Sequence, residues 1–349
     1  MSGRMTSLQV AKLATETSPG EFRAVAFNDE GQAVRLFSQR WAGAGEPARY
    51  GARYQARLRS FVDTLRGAFC ELPTGEEVFL RLKSREGVTE GQAVSVQVQS
   101  EARQDKLARV SLTDEIVDDF DAYQSWKTEL GSAPDVPLEE NPEQVGIAFE
   151  DALAGSVTLP GGGQLHIERT RAMTVMDVDS AGRIGKGSAG ARALHLNRTA
   201  VAEAARQIGL RGLGGLFVLD CVSPINADAA ERVHAAGRAA FEACGLPGVR
   251  VLKPSQLGLL EGSLPWRYRP IDELISNSPG ETDLLDMMRR VQREAGASPS
   301  KFFKLSLSGA AMQAYQKRKA ESDMALHQHF SGRVSVIESV NEKNEVLIA

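Results

Sequence analysis

The sequence predicts an α/β domain joined to a small antiparallel β-barrel. Two observations lead there. Residues 49–112 break into five short runs, roughly "RYQARLRSFV", "GAFCELP", "EVFLRLK", "AVSVQVQSEAR" and "KLARVSL". Turn residues at "LRG", "PTGE", "SREGVTEGQ" and "QD" separate them. Five short strands at this spacing suit a small closed barrel, of which the OB fold is the commonest nucleic-acid-binding example. Further on, "RAMTVMDV" and "LFVLDCV" read as buried strands on either side of the helical run "NRTAVAEAARQIGL". Strand, helix and strand in that order make a crossover unit, expected to be parallel and right-handed.

The remaining elements follow in chain order. Residues 20–41 suggest two strands, "EFRAVAFND" and "QAVRLFSQ", joined at "EGQ". After the barrel comes an acidic stretch with a short helix near Asp118–Leu130 and then a linker, "GSAPDVPLEENPEQ". "SVTLPGGGQLHIE" reads as a hairpin turning at Pro160–Gly163. Asn197 or Thr199 is expected near the N-cap of the crossover helix. In the next helix, Val233, Ala236, Gly237, Ala240, Phe241 and Cys244 trace one narrow face, and Gly245 and Pro247 end it. "GVRVLK" makes a third strand, and the tail holds one long helix, "SGAAMQAYQKRKAESDMALHQHF", followed by the strands "RVSVIES" and "NEVLI". The expected divisions are 1–44, N-terminal strands; 45–113, barrel; 114–146, acidic helix and linker; 147–298, α/β domain; and 299–349, C-terminal helix and strands.

Composition narrows the function. With 349 residues, 42% of them hydrophobic, the chain can bury a sizeable core, and no apolar run reaches membrane-spanning length. The first residues, "MSGRMTSLQVAKL", lack the apolar core of a secretory signal, so a cytoplasmic protein is expected. Cys70, Cys221 and Cys244 are widely spaced with no CxxC, which argues against structural zinc and for reduced, buried thiols. The net charge of −4 argues against strong nonspecific nucleic-acid binding. Charge is uneven, however: residues 40–59 hold five arginines against Glu46 alone, whereas residues 114–151 are acidic. Any polyanion site must therefore be local.

Asp177 and Asp220 each end an apolar strand run, "AMTVMD" and "GLFVLD". Side by side in a parallel sheet, both carboxylates would project at its carboxyl edge, where open α/β sheets bind ligands. Two adjacent carboxylates repel unless a cation lies between them, and Mg²⁺ suits two carboxylates, waters and phosphate oxygens. Asp179 adds a third oxygen donor. The bland alternative is that these aspartates cap turns. The following "GKGSAG" matches GxGxxG, but eight residues, "DVDSAGRI", stand between the strand and its glycines, and their aspartates would repel a pyrophosphate. We read it as a mobile cationic loop in which Arg183 and Lys186 can meet an RNA phosphate. On the barrel, Phe69 and Phe79 fall on adjacent strands, where they either stack bases or fill the core.

These residues resemble the ribonuclease E/G family. "VTLPGGGQLHIERTRAMTVMDVDS" and "LNRTAVAEAARQIGLRGLGGLFVLDCV" are similar to that family's "LPSGG" hairpin, "AIDVNS" strand end and "N…ARQLRLRDLGGLIVIDF" block. Asp177 and Asp220 match its two metal-binding aspartates 43 residues apart, Asn197 matches its helix asparagine, and "QLGLLEGS" is similar to "FGLLEMS". "GAFCELPTGEEVFL" resembles the family's S1-type barrel and places its two RNA-stacking phenylalanines at Phe69 and Phe79, with Lys106 on a basic RNA-contact position and Ser100 in place of another lysine. There are four departures. Asp179 replaces an asparagine, Ser223 replaces the second acid of "DFIDM", the "CPxC" zinc link is absent, and about 45 residues stand where long forms carry a 5′-sensing domain. The resemblance implies a mixed-sheet catalytic domain of RNase H-like/DNase I-like type with an inserted S1-type barrel. It implies an Mg²⁺-dependent endoribonuclease acting on single-stranded RNA to leave 5′-phosphate and 3′-hydroxyl ends, without a zinc-linked dimer. Asp177, Asp220 and Asp179 would hold the metal. The alternative is a non-catalytic or weakly catalytic RNA-binding protein of the same fold.

Overall fold

The computed structural model describes residues 8–41, 46–82, 87–104, 106–115, 120–131, 136–180 and 188–349. The chain opens with β1 (Lys12–Ser18), β2 (Glu21–Phe27) and β3 (Ala33–Arg40), an antiparallel meander. Then β4 (Arg53–Val62), β5 (Gly67–Glu71), β6 (Glu77–Arg81), β7 (Ala93–Ser100) and β8 (Ala108–Leu112) close into a barrel in the order β4-β5-β6-β8-β7. Its core takes every second side chain, including Leu58, Ala68, Cys70, Val78, Leu80, Val96, Val98 and Val110. All five barrel strands fall where the alternation predicts them.

The acidic segment is more than a linker. It contains α1 (Ala122–Glu129), β9 (Leu138–Glu140) and α2 (Pro142–Leu153). β9 pairs in parallel with β1 and completes the sheet β3-β2-β1-β9, so the barrel and α1 are an insertion within that sheet. The expected division at 146/147 falls inside α2. That helix carries its own start signals: Asn141 accepts from the Gln144 N–H at 3.1 Å, and Pro142 occupies the first turn.

Next come β10 (Ser156–Thr158), β11 (Gln164–Arg169), β12 (Met173–Asp179), α3 (Ala189–Leu210), β13 (Gly215–Asp220), α4 (Ala227–Ala243), β14 (Arg250–Val251) and β15 (Leu259–Leu264). They form a six-stranded mixed sheet, β10-β11-β12-β13-β15-β14. β12 and β13 are parallel, as the crossover predicts; β13 and β15 are antiparallel. α3 and α4 cover one face, packing Ala200, Val201, Ala204, Val233 and Phe241 against Leu165, Met176, Phe217, Leu219 and Leu260. Among the described residues the other face is open, with Val175, Asp177, Leu216 and Asp220 exposed on it. α3 begins earlier than expected, with Ser188 as N-cap, so Asn197 lies within the helix.

The C-terminal unit holds α5 (Ile271–Ser276), α6 (Pro279–Ala297), β16 (Phe303–Leu307), α7 (Gly309–Lys317), α8 (Lys319–Phe330), β17 (Val334–Glu338) and β18 (Glu345–Ile348). β16, unforeseen in the sequence, is the middle strand between β17 and β18. The single long helix expected here breaks at Arg318, whose backbone leaves the helical region while its guanidinium pairs with Glu281 at 3.3 Å and sits over Trp41. A cavity of about 540 Å³ lies where the first sheet, barrel, α3 and this unit meet. Two arginines of its wall close helix ends instead: Arg35 donates to the Cys244 carbonyl at the end of α4, and Arg211 to the Ala154 carbonyl at the end of α2.

Glu21 ties the C-terminal unit to the first sheet. It is 4% exposed and is met by Arg289 of α6, Arg40 at 2.9 Å and Arg23 at 4.0 Å. Burial alone would raise its pKa, but the three guanidinium groups together hold it below the ordinary carboxyl value. A carboxylate depressed in this way stabilises the fold fully above the ordinary glutamate value of about 4.3 and loses that contribution as pH falls through the folded value. Glu21→Gln is expected to lower stability at pH 7 by about 3 kcal/mol or more, because buried guanidinium groups lose their counter-charge. It should also flatten the acid limb of the stability curve. Thermal melts from pH 7 to pH 3 check both; a variant that keeps the wild-type acid dependence removes Glu21 as its source.

Candidate active site and RNA-binding face

The open face of the six-stranded sheet is laid out in rows by strand register. Asp177 of β12 stands directly opposite Asp220 of β13. On the other flank of Asp177 stands His166 of β11, and beyond Asp220 stands Leu259 of β15. Neighbouring strands lie about 4.8 Å apart, so His166, Asp177 and Asp220 form one line of exposed side chains. One row nearer the amino end of β12 are Glu168, Val175, Val218 and Glu261; one row beyond are Gln164 and Asp179. The intervening residues, Met176, Leu219 and Leu165, are 0% exposed and face the helices. The structure therefore brings Asp177 and Asp220 together as expected, and sets Asp179 one row away, past the end of β13. No three His, Cys, Asp or Glu side chains converge closely enough to cage a metal among the described residues. Arg183 and Lys186 lie outside those residues.

Two devices fix this edge. The side chain of Asn197, 1% exposed, bonds both backbone groups of Val222: its Nδ2 donates to the carbonyl at 2.9 Å, and its Oδ1 accepts from the N–H at 2.8 Å. This pair of hydrogen bonds pins the chain two residues after Asp220 to α3. Gly163, with φ +88°, turns the β10–β11 hairpin against β12; a Cβ there would lie 2.8 Å from the Asp179 carbonyl oxygen. Ser223 is exposed just past β13 and adds no acid to the row. Cys221 is buried, and burial pushes its thiol up to about 11 with Asp220 adding to the shift; the three cysteines are free.

Phe69 and Phe79 are cross-strand partners on β5 and β6, with ring centroids 5.7 Å apart in a T-shaped pair. Both are half-exposed, while Ala68, Cys70, Val78 and Leu80 fill the barrel. Neither ring belongs to the barrel's buried core. Arg109, beside Phe79 on β8, is exposed on the same outer face. The sequence reading passed it over, although the alternation of "LARVSL" places Ala108 and Val110 inside and Arg109 outside.

Lys106 lies apart from this pair, in a bridge with Arg103 at the junction of barrel and sheet. It lines a cleft of about 50 Å³ with Arg103, Arg169, Arg171, Met173 and Trp266. Arg103 stacks on Trp266 at 4.3 Å from the ring centroid, and burial lowers it to about 10. Arg169 pairs with Asp272 at 2.9 Å and with the buried Glu273, which also accepts from the Gln104 N–H at 2.6 Å. The cleft meets β12 at Met173, four residues or roughly 13 Å along the strand from Asp177.

Fold and site together define a mixed α/β protein with an inserted closed barrel, an aromatic–basic barrel face and a paired-carboxylate edge. Residues 91–263 match the model of the Ribonuclease E/G family. It is 40% identical over 88 residues to "Ribonuclease E" of Haemophilus influenzae, covering 25% of this chain and 9% of that protein. It is 39% identical over 79 residues to "Ribonuclease E" of Escherichia coli K12, covering 23% and 7%. To "Ribonuclease G" of Escherichia coli K12 it is 28% identical over 186 residues, covering 50% and 38%. The matched segments thus span well under two thirds of these relatives. No helix among the described residues is long and apolar enough to cross a membrane.

Asn197→Ala is expected to leave the Val222 backbone groups without their partner and to lower stability by roughly 1–3 kcal/mol. Asn197→Asp, which buries a carboxylate oxygen against the Val222 carbonyl in place of the Nδ2 donor, should cost at least as much. Denaturant melts of the three proteins check the order. Equal midpoints for Asn197→Ala and wild type would show that the clamp carries no energy.

Proposed function

We propose that this protein is an Mg²⁺-dependent endoribonuclease that cuts single-stranded RNA to 5′-phosphate and 3′-hydroxyl ends, in RNA processing or decay. The observation that carries the reading is the register of Asp177 and Asp220 on a sheet face that the described residues leave exposed. Two carboxylates side by side at a strand end repel each other, and a cation between them relieves that repulsion. The donor set suits Mg²⁺, which takes one or two carboxylates and completes its shell with water and substrate phosphate. When bound, the ion would polarise the phosphate and lower the pKa of water for in-line attack. Asp177 and Asp220 would hold it, and Asp179 would orient its shell from the next row. Phe69 and Phe79 would stack bases, while Arg109 and Lys106 would neutralise phosphates between the barrel and the cleft. Arg183 and Lys186 complete the proposed RNA contacts. In this reading the sheet bearing β12 and β13 corresponds to the family's RNase H-like/DNase I-like catalytic sheet, and the barrel to its S1-type domain.

A second reading is favoured by a specific observation. The converging acids are two rather than three among the described residues, and Ser223 adds none. A protein that keeps the RNA-binding barrel but cleaves weakly or not at all would show this pattern.

One set of assays separates the readings. A labelled AU-rich single strand is incubated with the protein in Mg²⁺ and in EDTA. Cleavage in Mg²⁺ alone is expected, abolished in Asp177→Asn and Asp220→Asn with RNA affinity within a few-fold of wild type. Phe69→Ala and Phe79→Ala should each weaken RNA binding by roughly 1–3 kcal/mol with an intact thermal transition. Full cleavage by either aspartate variant contradicts the paired-carboxylate site. RNA binding without cleavage by the wild type selects the second reading.

A further inference from the structure

We propose that His166 is a substrate-contacting residue, whose imidazole N–H donates to the RNA phosphate on the flank of Asp177 opposite Asp220. The inference rests on the reading of Asp177 and Asp220 as the edge where the scissile phosphate is held. His166 stands in register with Asp177, and Asp177 with Asp220, so the three side chains occupy one exposed row across β11, β12 and β13. The other four histidines, His195, His234, His327 and His329, lie in helices. His166 has no hydrogen-bond partner among the described residues, so packing has not claimed its ring nitrogens.

The chemistry of the row calls for such a group. Ionised aspartates only accept hydrogen bonds, and they repel a phosphate that a cation does not bridge. A phosphate over Asp177 and Asp220 therefore needs a donor from the protein beside them. At about 4.8 Å from Asp177 across the strand pair, an imidazole supplies one N–H in its neutral form and two when protonated, so the contact does not depend on its charge. On the opposite flank stands Leu259, which offers no donor. In the row beyond, Gln164 faces Asp179 and extends the same edge of β11 with a second N–H donor.

The test uses the whole chain with His166→Val, His166→Ala and His166→Gln. Valine suits a strand and keeps β11 in register, so folding is preserved while the donor is lost. With the single-stranded substrate in Mg²⁺, His166→Val and His166→Ala are expected to lower kcat/KM about tenfold, about 1.4 kcal/mol, carried mainly by KM because the contact exists before and during attack. His166→Gln, which retains an N–H donor, should recover most of the loss. Wild-type kcat/KM in the valine and alanine variants overturns the proposal, as does a glutamine variant no better than valine. If the wild type does not cleave, the nuclease reading fails separately, and His166 is judged by RNA affinity in Mg²⁺. Several-fold weaker binding by His166→Val then supports the contact, and equal binding overturns it.

Discussion

Everything proposed for the catalytic edge depends on the parallel register of β12 and β13. Side chains alternate along a strand, so a slip of one residue would turn Asp177 or Asp220 toward the helices and put Met176 or Leu219 on the open face. The sheet resists that slip because its covered face is a dense apolar layer. Met176 and Leu219 sit at 0% exposure against α3 and α4, and no polar residue can replace them there without a partner. The pairing of carboxylates is thus a by-product of burying the residues between them. Asn197 adds a local clamp by holding the chain just past Asp220 to the same helix that links the two strands.

The second constraint is the seating of the barrel. Two buried acids span the junction. Glu101 accepts from the Tyr50 N–H at 3.2 Å and from the Arg269 N–H at 2.9 Å, joining the barrel to the segment after β15. Glu273 accepts from the Gln104 N–H and pairs with Arg169 of β11. These bonds are directional, so they set the angle of the barrel as well as its position. The result is a fixed spacing between the basic cleft and the aspartate row on one strand, which is what a polymer substrate needs if it is to be gripped at one place and cut at another.

Much of this was legible in the sequence. Alternation marked every barrel strand, and the two apolar runs ending in aspartate marked the neighbouring strands of the candidate site. What escaped was hidden by physical causes that act only in three dimensions. β15 contains Gly262, a poor strand former, yet a Cβ there would lie 2.1 Å from the Phe217 ring. β1 carries Glu16 into a buried strand, which is tolerated only because Arg23 from its neighbour β2 neutralises it. β9 is a three-residue acidic strand recruited only by pairing with β1. Arg109 and His166, in contrast, were readable: each sits at an outward position of an alternating strand, and only the identity of the strand across from it was missing. Asn197 was misplaced as a cap because its true partner, Val222, is 25 residues away.

The central claim is that Asp177 and Asp220 act together as one cation site. Mn²⁺ binds the same oxygen donors as Mg²⁺ and is paramagnetic, so its uptake can be followed directly by loss of the free-ion resonance on titration into the full chain. The account predicts uptake by the wild type that is weakened in Asp177→Asn and in Asp220→Asn, and no weaker still in the double variant, because either change already destroys a site that needs both. Uptake by the double variant equal to that of the wild type would contradict it.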